Sequence, residues 1–586
     1  MMRRVLILAA LVLLAVAPLV LPEFQVTLLN YVGLASIVTL GLVLLTGIGG
    51  LTSFGQAAFV GLGAYTTAVL TTQYGVSPWL TLPAGLALTF VVALCLGFIT
   101  LRLSGHYLPL GTIAWGIAIY FVFGNLDMLG KYSGLAEIPP LTMFGWRFGD
   151  SRAFYYLIWV VTLLALLAMR NLLDSRSGRA IRALRGRSLM AENFGVDTAR
   201  LKIVIFIYAA LLAAMSGWFY AHFLRFVSPH PFGLNNSIDY QFMAVIGGSS
   251  ELWGAVIGAA LLTLLKEWLK DLLPKIMEQS GNFEIIVFGL LVIAMLHRTR
   301  DGLVPYFSRL IPADTQRLRP AQAPPLPRRA QPQAGEPLLQ LKRVSKSFNA
   351  LAAVKDLSFD MQAGEILGLI GPNGAGKSTV FNLMTGVLAA DDGEIHFRGE
   401  RIDDRTGREI ARCGLARTYQ HVNLLQSMSV LENAAIGAHL RGHEGVWSAS
   451  LRLDRAEEAR LRREAANHVE WIGLGGRLFD AAGTLPLGSQ RMVEIARALC
   501  ADPLLLLLDE PAAGQRYQEK QALAELLRAL RQRGVSILLV EHDMEFVMGL
   551  VDRIVVMNFG EKLAEGSPRE IQTNPAVVEA YLGSVV

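Results

Sequence analysis

The chain has 586 residues, of which 53% are hydrophobic and only 17% are charged, and its mean hydropathy is +0.42. This composition is too apolar for an average soluble protein, so much of the chain is expected to lie in lipid. The net charge of +5 comes from arginines in short loops beside apolar segments, a pattern that argues against nucleic acid as a partner. Cys95, Cys413 and Cys500 are too few and too scattered for a disulfide framework or a zinc site.

The N-terminus combines Arg3 and Arg4 with an apolar run that ends near Leu21. This pattern fits either a cleavable signal peptide, with a small-residue site at 15–17, or a retained first membrane span. Pro18 follows that site directly and is expected to hinder cleavage. We therefore favour a retained span with its two arginines in the cytosol.

Apolar segments of about 20 residues, the length that a membrane helix needs, recur through the first half of the chain. They lie near residues 5–22, 30–48, 54–72, 79–101, 107–125, 153–170, 203–224, 241–265 and 283–297. A cytosolic N-terminus and a cytosolic C-terminal half require an even number of crossings. These nine segments make an odd number, so the set contains an error. We expect it at 238–265, where residues 247–251 interrupt the apolar run and indicate two short half-segments.

The loop between residues 170 and 202 is rich in arginine and is expected to face the cytosol. Within it, Arg179, Arg182 and Arg185 share one face at helical spacing, while Ile181 and Leu184 lie on another. This pattern predicts a short helix that rests in a cleft of a cytosolic domain and carries force to the membrane spans. The alternative is a solvated basic loop.

Glycines recur through residues 47–63. They permit close helix approach and an unwound backbone whose N–H groups can point at a carboxylate, although simple packing of small residues is the alternative. Ser53 and Gln56 are the polar side chains that we place near a pathway through the membrane. We assign residues 1–305 to a membrane domain and residues 306–337, rich in Pro and Arg, to a linker.

Residues 371–379 fit the pattern G-x-x-x-x-G-K-[ST] between a predicted buried strand and a predicted helix. The glycines let backbone N–H groups surround phosphates, Lys377 supplies positive charge, and Ser378 can hold Mg²⁺. ATP and Mg²⁺ are therefore the predicted ligands. The predicted nucleotide-binding residues here are Gly371, Pro372, Asn373, Gly374, Ala375, Gly376, Lys377, Ser378 and Thr379.

A second apolar strand, residues 504–508, ends in Asp509 and Glu510. This placement lets Asp509 reach the Mg²⁺ and lets Glu510 polarise a water for in-line attack on the γ-phosphate. Strand-like and helix-like runs alternate through residues 338–586, which predicts a parallel sheet covered by helices.

Three further segments lie in order around this strand: Ala416 to Gln420, Leu485 to Arg491, and Val540 to Asp543. Together with the phosphate loop they resemble an ABC-type nucleotide-binding domain over essentially all of residues 338–586. The resemblance implies that Phe348 stacks on adenine and that Gln420 lies near the metal and the pore. It also implies that His542 contacts the γ-phosphate.

The same resemblance assigns the family's signature to Leu485, Gly488, Ser489 and Gln490. Two residues depart from the pattern: Pro486 replaces the usual Ser, and Arg516 replaces an acidic or Asn residue. Pro486 lacks both a hydroxyl and an N–H, although Gly488 can still present its N–H at a helix start. In ABC dimers the signature of one domain closes the phosphate loop of the other, so a single copy of each motif implies a second ATPase domain.

In the first half, residues 46–65, 101–107, 134–140 and 176–183 resemble the permease of branched-chain amino acid importers, over about 30–303. Residues 416–420, 485–491 and 578–583 are similar to the matching importer ATPase, in which a non-Ser signature residue is acceptable. The expected fold is an α-helical polytopic membrane domain followed by an α/β P-loop ABC nucleotide-binding domain at 338–586.

The two resemblances imply ATP-driven import of branched-chain or related hydrophobic amino acids across the bacterial inner membrane, with the ATPase in the cytoplasm. They also imply a second permease and ATPase half and a periplasmic substrate-binding protein as partners. One alternative is the same ATP-driven transport with urea, short amides or other amino acids as cargo. Others are an exporter and a weakly catalytic regulatory half of a transporter. Short Gly-rich spans argue against an exporter, and a soluble ABC protein is excluded if the first 300 residues insert into membrane.

Overall fold

The computed structural model describes residues 2–101, 103, 105, 107–143, 145–277, 283–299, 302–308, 319–349 and 351–582. Parts of the motifs quoted above lie outside the described residues, namely Arg102, Ser104, His106, the linker segment 309–318 and Gly583. The side chains of Arg3 and Arg4 lie outside them as well.

The chain divides into two compact units. The helical unit comprises residues 1–174, 199–315 and 450–452, and the sheet unit comprises residues 175–198, 316–449 and 453–586. The arginine-rich segment 175–198 therefore belongs to the sheet unit, although it lies between two membrane segments in the sequence.

Long apolar helices form the helical unit, with a short hairpin of strands β1 (Leu141–Met143) and β2 (Trp146–Phe148) between two of them. The helices are α1 (Met2–Val20), α2 (Glu23–Leu42), α3 (Gln56–Thr72), α4 (Pro78–Thr100), α5 (Tyr107–Asn125), α6 (Ser151–Leu173), α8 (Thr198–Leu224), α9 (Leu234–Gly248), α10 (Leu252–Met277), α11 (Phe283–Arg298) and α12 (Leu303–Ser308). Helix α7 (Arg176–Asn193) belongs to the sheet unit.

Among the described residues, six helices are long and apolar enough to cross a membrane. The interruption expected within 238–265 is confirmed, because the chain turns at Ser249–Glu251 between helices α9 and α10. The expectation of two short half-segments is wrong for α10, which is a 26-residue helix. The two helices can pack closely because Gly258 of α10 has no side chain. A Cβ at this position would lie 1.9 Å from the carbonyl oxygen of Met243 in α9.

Between α2 and α3 the backbone leaves the α-helical pattern. A π-helical stretch, Val43–Ile48, follows α2, and the backbone stays non-helical up to Gly55. Gly47 lies so close to the turn after α9 that an added Cβ would be 1.6 Å from the carbonyl oxygen of Ser249. The glycines of this segment therefore serve both close packing and an unwound backbone.

The sheet unit holds the strands β3 (Pro337–Phe348), β4 (Leu351–Gln362), β5 (Ile366–Ile370), β6 (Asp392–Phe397), β7 (Glu400–Arg401), β8 (Leu415–Arg417), β9 (Leu505–Asp509), β10 (Ser536–Val540), β11 (Arg553–Asn558) and β12 (Glu561–Gly566). They form a six-stranded sheet in the order β12-β11-β5-β10-β9-β8 and a four-stranded sheet in the order β4-β3-β6-β7. Strands β8, β9, β10, β5 and β11 pair in parallel, as the sequence predicts.

Helices connect these strands. They are α13 (Lys377–Met384), α14 (Gly407–Cys413), α15 (Val430–Ile436), α16 (Val446–Ser450), α17 (Arg455–Trp471), α18 (Leu487–Cys500), α19 (Tyr517–Gln532), α20 (Met544–Met548), α21 (Pro568–Thr573) and α22 (Pro575–Leu582). Strands β5, β9 and β10 are buried along their whole length, which explains their continuous apolar sequence.

The described end of the linker is held against the sheet unit. Arg441 donates a 3.0 Å hydrogen bond to the carbonyl oxygen of Pro327, and Arg460 donates one of 3.3 Å to that of Pro325. The Arg329 N–H donates to Asp502 at 2.6 Å. This part of the linker is therefore fixed to the unit that follows it.

We expect Gly217→Ala to destabilise the helical unit by about 1–3 kcal/mol, the usual cost of overpacking. The added Cβ would lie 1.9 Å from the carbonyl oxygen of Val60, where α8 crosses α3. Thermal unfolding in detergent measures the effect. Gly289→Ala in α11 is the matched control, since an added Cβ there meets nothing within 4 Å. Equal midpoints for the two variants would contradict the close crossing.

Candidate functional site

The phosphate loop follows the buried strand β5 and leads into α13, as predicted. Its glycines adopt backbone angles that other residues rarely reach, with φ of 84° at Gly374 and 98° at Gly376. A Cβ on Gly376 would lie 2.3 Å from the carbonyl oxygen of Ala353. The loop is therefore held open by conformations that need glycine, and its N–H groups are available at the start of a helix.

Lys377 is buried, with 7% of its surface exposed. Its Nζ donates to the carbonyl oxygens of Gly371 at 2.7 Å and Pro372 at 3.0 Å. Burial lowers the pKa of the Lys377 ammonium, and the charges of Glu510 and Asp509 oppose that shift. The lysine side chain thus folds back onto its own loop. A bound nucleotide would offer it phosphate oxygens, which are stronger acceptors than these carbonyl groups.

Asp509 ends strand β9 and is 3% exposed. Its Oδ2 lies 3.3 Å from Arg417, whereas its buried Oδ1 has no hydrogen-bond partner within the described part of the chain. Burial raises the pKa of the Asp509 carboxyl, and Arg417 opposes the rise. A buried oxygen with a free lone pair beside a phosphate loop fits Mg²⁺, which prefers carboxylate and hydroxyl oxygens.

Glu510 has a left-handed backbone, with φ of 48°, which is uncommon for a residue other than glycine and typical of active sites. Its Oε1 accepts a 3.0 Å hydrogen bond from Gln420 Nε2 and lies 3.0 Å from His542 Nε2. Arg491 donates to its backbone carbonyl oxygen. Two of the predicted catalytic residues, Gln420 and His542, are therefore within hydrogen-bond reach of the third, Glu510.

A cavity of about 700 Å³ adjoins these residues. Phe348, which is 44% exposed, lines this cavity and is not packed into the core. The sequence analysis did not find Leu351, Lys355 or Phe559, which also line it. Nothing in the sequence around them forms a motif. The predicted residues on its wall are Phe348, Asn373, Gly374, Ala375, Gly376, Lys377, Ser378, Thr379, Gln420, Glu510 and His542.

The signature residues lie elsewhere, at the start of α18. Gln490 donates a 2.8 Å hydrogen bond from Nε2 to the Leu485 carbonyl oxygen, and Pro486 precedes the first turn of the helix. Neither Gly488 nor Ser489 lines the cavity. Within a single chain, the signature and the phosphate loop are therefore separate.

Two further buried residues support the site and were missed. Glu541 is 2% exposed and accepts backbone hydrogen bonds from Ala512 at 2.5 Å and His542 at 3.1 Å. Burial raises the pKa of Glu541, and the charge of Glu510 adds to the rise. Arg417 bridges Asp509 and helix α13, donating to Asn382 Oδ1 at 2.6 Å. Both residues lie in segments that the sequence analysis noted, but it gave neither of them a role.

Helix α7 confirms the predicted helix in the basic loop. Arg179 is 2% exposed and pairs with Glu458 through its two terminal guanidinium nitrogens, the contact from Nη2 being 3.0 Å. Arg182 pairs with Glu432 at 3.1 Å. Arg185 does not continue this face, because the backbone leaves the helical region there. Since Arg179 and Ile181 are both buried, the alternative of a solvated loop is wrong.

The end of α7 also contacts the segment that precedes Gln420. Asn193 Nδ2 donates a 2.6 Å hydrogen bond to the hydroxyl of Tyr419. In addition, Asp197 pairs with Arg408. The basic segment is thus joined to the residue next to the glutamine of the candidate site.

Ser53 and Gln56 are the predicted pathway residues. Ser53 lies near the end of the unwound segment that precedes α3, and Gln56 is the first residue of α3. They are 2% and 0% exposed. Neither Gln56 Oε1 nor Gln56 Nε2 has a hydrogen-bond partner within the described ranges. The N–H of Ala57 donates to Ser237 Oγ at 3.1 Å, which joins this region to α9.

A phosphate loop, a buried Asp followed by a partly exposed Glu, and a glutamine and a histidine at the ends of the flanking strands define an ABC-type ATPase. Here it is in one chain with a polytopic helical unit. The family model for the permease component of branched-chain amino acid transport systems matches residues 24–296. The ABC transporter model matches 354–513, and that of branched-chain amino acid ATP-binding cassette transporters matches 561–586.

Relatives of the second half agree. The high-affinity branched-chain amino acid transport ATP-binding protein LivG of Salmonella typhimurium is 44% identical over 252 residues, 42% of this chain and 98% of LivG. LivG of Escherichia coli K12 is 43% identical with the same coverage. BraF of Pseudomonas aeruginosa, a protein with the same description, is 39% identical over 250 residues, 42% of this chain and 98% of BraF.

Among solved structures, a nucleotide-free ATP-binding cassette from an ABC transporter is 30% identical, with a TM-score of 0.38 over 42% of this chain and 100% of that chain. On the family models and the relatives, the chain belongs to the branched-chain amino acid ABC transporter family, with permease and ATP-binding domains fused. It is an ATP-hydrolysing membrane transporter.

We expect Asp509→Asn to weaken binding of ATP in Mg²⁺ by at least about tenfold, because the neutral amide is a poorer Mg²⁺ ligand than the carboxylate. Binding of a fluorescent ATP analogue, with Mg²⁺ and with EDTA, measures the effect, and the variant should lose most of the difference between the two conditions. Asp360→Asn, at an exposed position of strand β4, is the control. An unchanged Mg²⁺ dependence in Asp509→Asn would remove this residue from the metal site.

Proposed function

We propose that this protein imports branched-chain or related hydrophobic amino acids, using ATP bound at the cavity beside Phe348 and the phosphate loop. The observation that carries the ATPase part of the proposal is the contact of Gln420 and His542 with the Glu510 carboxylate, both at 3.0 Å. The branched-chain amino acids in the names of LivG and BraF support the cargo. Urea, short amides and other amino acids remain alternative cargoes to be tested.

In this proposal Phe348 offers an aromatic face to the adenine, and the backbone N–H groups of Asn373–Thr379 bind the phosphates. Lys377 releases its two carbonyl contacts and binds the terminal phosphates. Glu510 accepts a proton from the attacking water, which His542 and Gln420 help to orient. The exposure of His542, 43% of the side chain, leaves it able to meet a γ-phosphate.

Ser378 and Asp509 would hold Mg²⁺, with Gln420 close to it. The metal, when bound, would neutralise part of the phosphate charge during transfer. The unpartnered Oδ1 of Asp509 supports this assignment, since a buried carboxylate oxygen otherwise has a high cost of desolvation.

A complete ATP site in this proposal needs a second ATPase domain. Gly488, Ser489 and Gln490 at the start of α18 do not line the chain's own cavity, so they are free to close the phosphate loop of a partner. The partner is a second copy of this chain or a different permease and ATPase half. Substrate arrives on a periplasmic binding protein, and the transporter lies in the bacterial inner membrane with its ATPase in the cytoplasm.

Helix α7 would couple the two activities. Its ion pairs with Glu432 and Glu458 fasten it to α15 and α17, and its end contacts Tyr419 next to Gln420. A movement of Gln420 on ATP binding would therefore move α7 as well. In the sequence, α7 lies between the membrane helices α6 and α8. This coupling is the same role that the arginine pattern predicts from the sequence.

We expect cells lacking their own importer to take up labelled leucine when given this chain with a binding protein and partner subunits. Glu510→Gln should abolish uptake while ATP binding is preserved, because the amide keeps the shape but cannot accept a proton. Glu525→Gln, at an exposed position of α19, is the control. If the cells do not take up leucine while the purified complex hydrolyses ATP, the proposed cargo is wrong and the ATPase assignment stands.

Arg179→Gln should lower the ratio of leucine transported to ATP hydrolysed by at least about fivefold. Loss of the guanidinium removes the two-point contact that fastens α7 to α17, and within the described residues Glu458 keeps only its pair with Arg462 of its own helix. Arg319→Gln in the exposed linker is the matched control. Leucine uptake and ATP hydrolysis are measured in the same proteoliposomes, and an unchanged ratio would show that this ion pair does not couple them.

A further inference from the structure

The two faces of the helical unit can be assigned from its connections. Helices α6 and α8 flank the basic segment 175–198, so their opposite ends, near Ser151 and Leu224, lie at the outer face. The hydroxyl of Thr27 lies 2.9 Å from that of Ser151, and Asn30 Nδ2 donates to the Ser151 carbonyl oxygen at 2.8 Å. The start of α2 therefore lies at the outer face as well.

A cavity of about 500 Å³ opens between the outer parts of α2, α8, α9 and α10. Tyr31, Tyr220 and Tyr240 supply aromatic walls, and Val60 and Met243 lie deeper along α3 and α9. Pockets for small molecules commonly have volumes of ~300–1,000 Å³, largely apolar walls and a few polar groups that orient the ligand. This cavity has those properties.

Charged side chains stand on its wall. Asp239 of α9 forms an ion pair with Lys266 of α10, and both side chains are partly accessible, at 23% and 35%. Glu267 and Lys270 also line the cavity, 3.5 Å apart. The Asp239–Lys266 pair borders a second cavity of about 460 Å³ that includes Phe288. Ionisable groups inside a membrane bundle are costly and therefore mark functional sites.

We infer that this cavity binds a zwitterionic amino acid with an aliphatic side chain. The ammonium group of the ligand would contact Asp239 and Glu267, its carboxylate would contact Lys266 and Lys270, and its aliphatic part would pack on the tyrosines. Both signs of charge lie on one wall, as a zwitterion requires. This inference deepens the proposed function and rests on it, because it places the cargo on the outer side of the same permease.

The cavity also leads toward Gln56. Val60 lines it, and Gln56 lies one turn earlier on the same face of α3. The Gln56 amide is fully buried, and both its polar atoms lack partners in the part of the chain that the structure describes. An unpaired buried amide is costly, so a polar group that passes from the cavity floor would find an available donor and acceptor there.

The test uses the full chain with its three cysteines replaced, reconstituted with partner subunits, and carrying Asn236→Cys on the cavity wall. Millimolar leucine should slow labelling of this cysteine by a charged thiol reagent at least about fivefold, since a bound ligand blocks the cavity. Isoamylamine lacks the carboxylate, and isocaproate lacks the ammonium group, so each should protect far less. Asn125→Cys, exposed at the outer end of α5, is the control and should show no protection.

The double substitution Asp239→Asn/Lys266→Gln should remove protection without leaving an unpaired charge, and thermal unfolding shows whether the variant is folded. If it is not folded, Lys270→Gln replaces it, and protection by leucine should weaken. Protection that is equal for leucine and both analogues, or unaffected by these substitutions, would overturn the inference.

Leucine uptake in the same proteoliposomes separates this inference from the proposed function. Uptake without protection overturns the cavity and leaves the function. Protection without uptake supports an amino acid site and overturns the cargo of transport. The absence of both overturns both.

Discussion

Three loops meet at the Glu510 carboxylate because the strands before them pair in parallel. Gln420 follows β8, Glu510 follows β9 and His542 follows β10, and these strands are neighbours in the order β10-β9-β8. Parallel pairing brings the carboxyl ends of the strands to one edge, so residues about 90 positions apart in sequence lie 3.0 Å apart. The phosphate loop after β5 joins the same edge, since β5 pairs with β10. The nucleotide site is therefore a consequence of sheet order.

This arrangement also joins the site to helix α7. Tyr419 stands between Arg417, which holds Asp509, and Gln420, which holds Glu510. The hydroxyl of Tyr419 accepts a hydrogen bond from Asn193 at the end of α7. A displacement of this short segment would change the surroundings of both carboxylates and of α7 together. The proposed coupling therefore needs no long chain of contacts, because one segment takes part in both structures.

The phosphate loop and the two carboxylates could be predicted because each is specified by a few consecutive residues with a known mechanism. Helix α7 could be predicted from its spacing, but Glu458 as the partner of Arg179 could not, since 279 positions separate them in sequence. Glu541 and Arg417 carry no local motif, and only the fold shows that they are buried beside the site. The roles of Ser53 and Gln56 stay predictions. The role of Gln56 is supported only by its buried amide, which has no hydrogen-bond partner among the described residues.

The turn after α9 brings together two charged residues, Asp239 and Lys266, that the sequence analysis did not pair. As one continuous helix, residues 239 to 266 would place Asp239 and Lys266 about 40 Å apart, at 1.5 Å per residue. The turn at Ser249–Glu251 reverses the chain and makes α9 and α10 antiparallel neighbours, so the two charges meet. Gly247 permits the turn to pack, because its missing side chain leaves room for the carbonyl oxygen of Gly254. A charge pair that is impossible in a single span thus becomes the polar wall of an outer cavity.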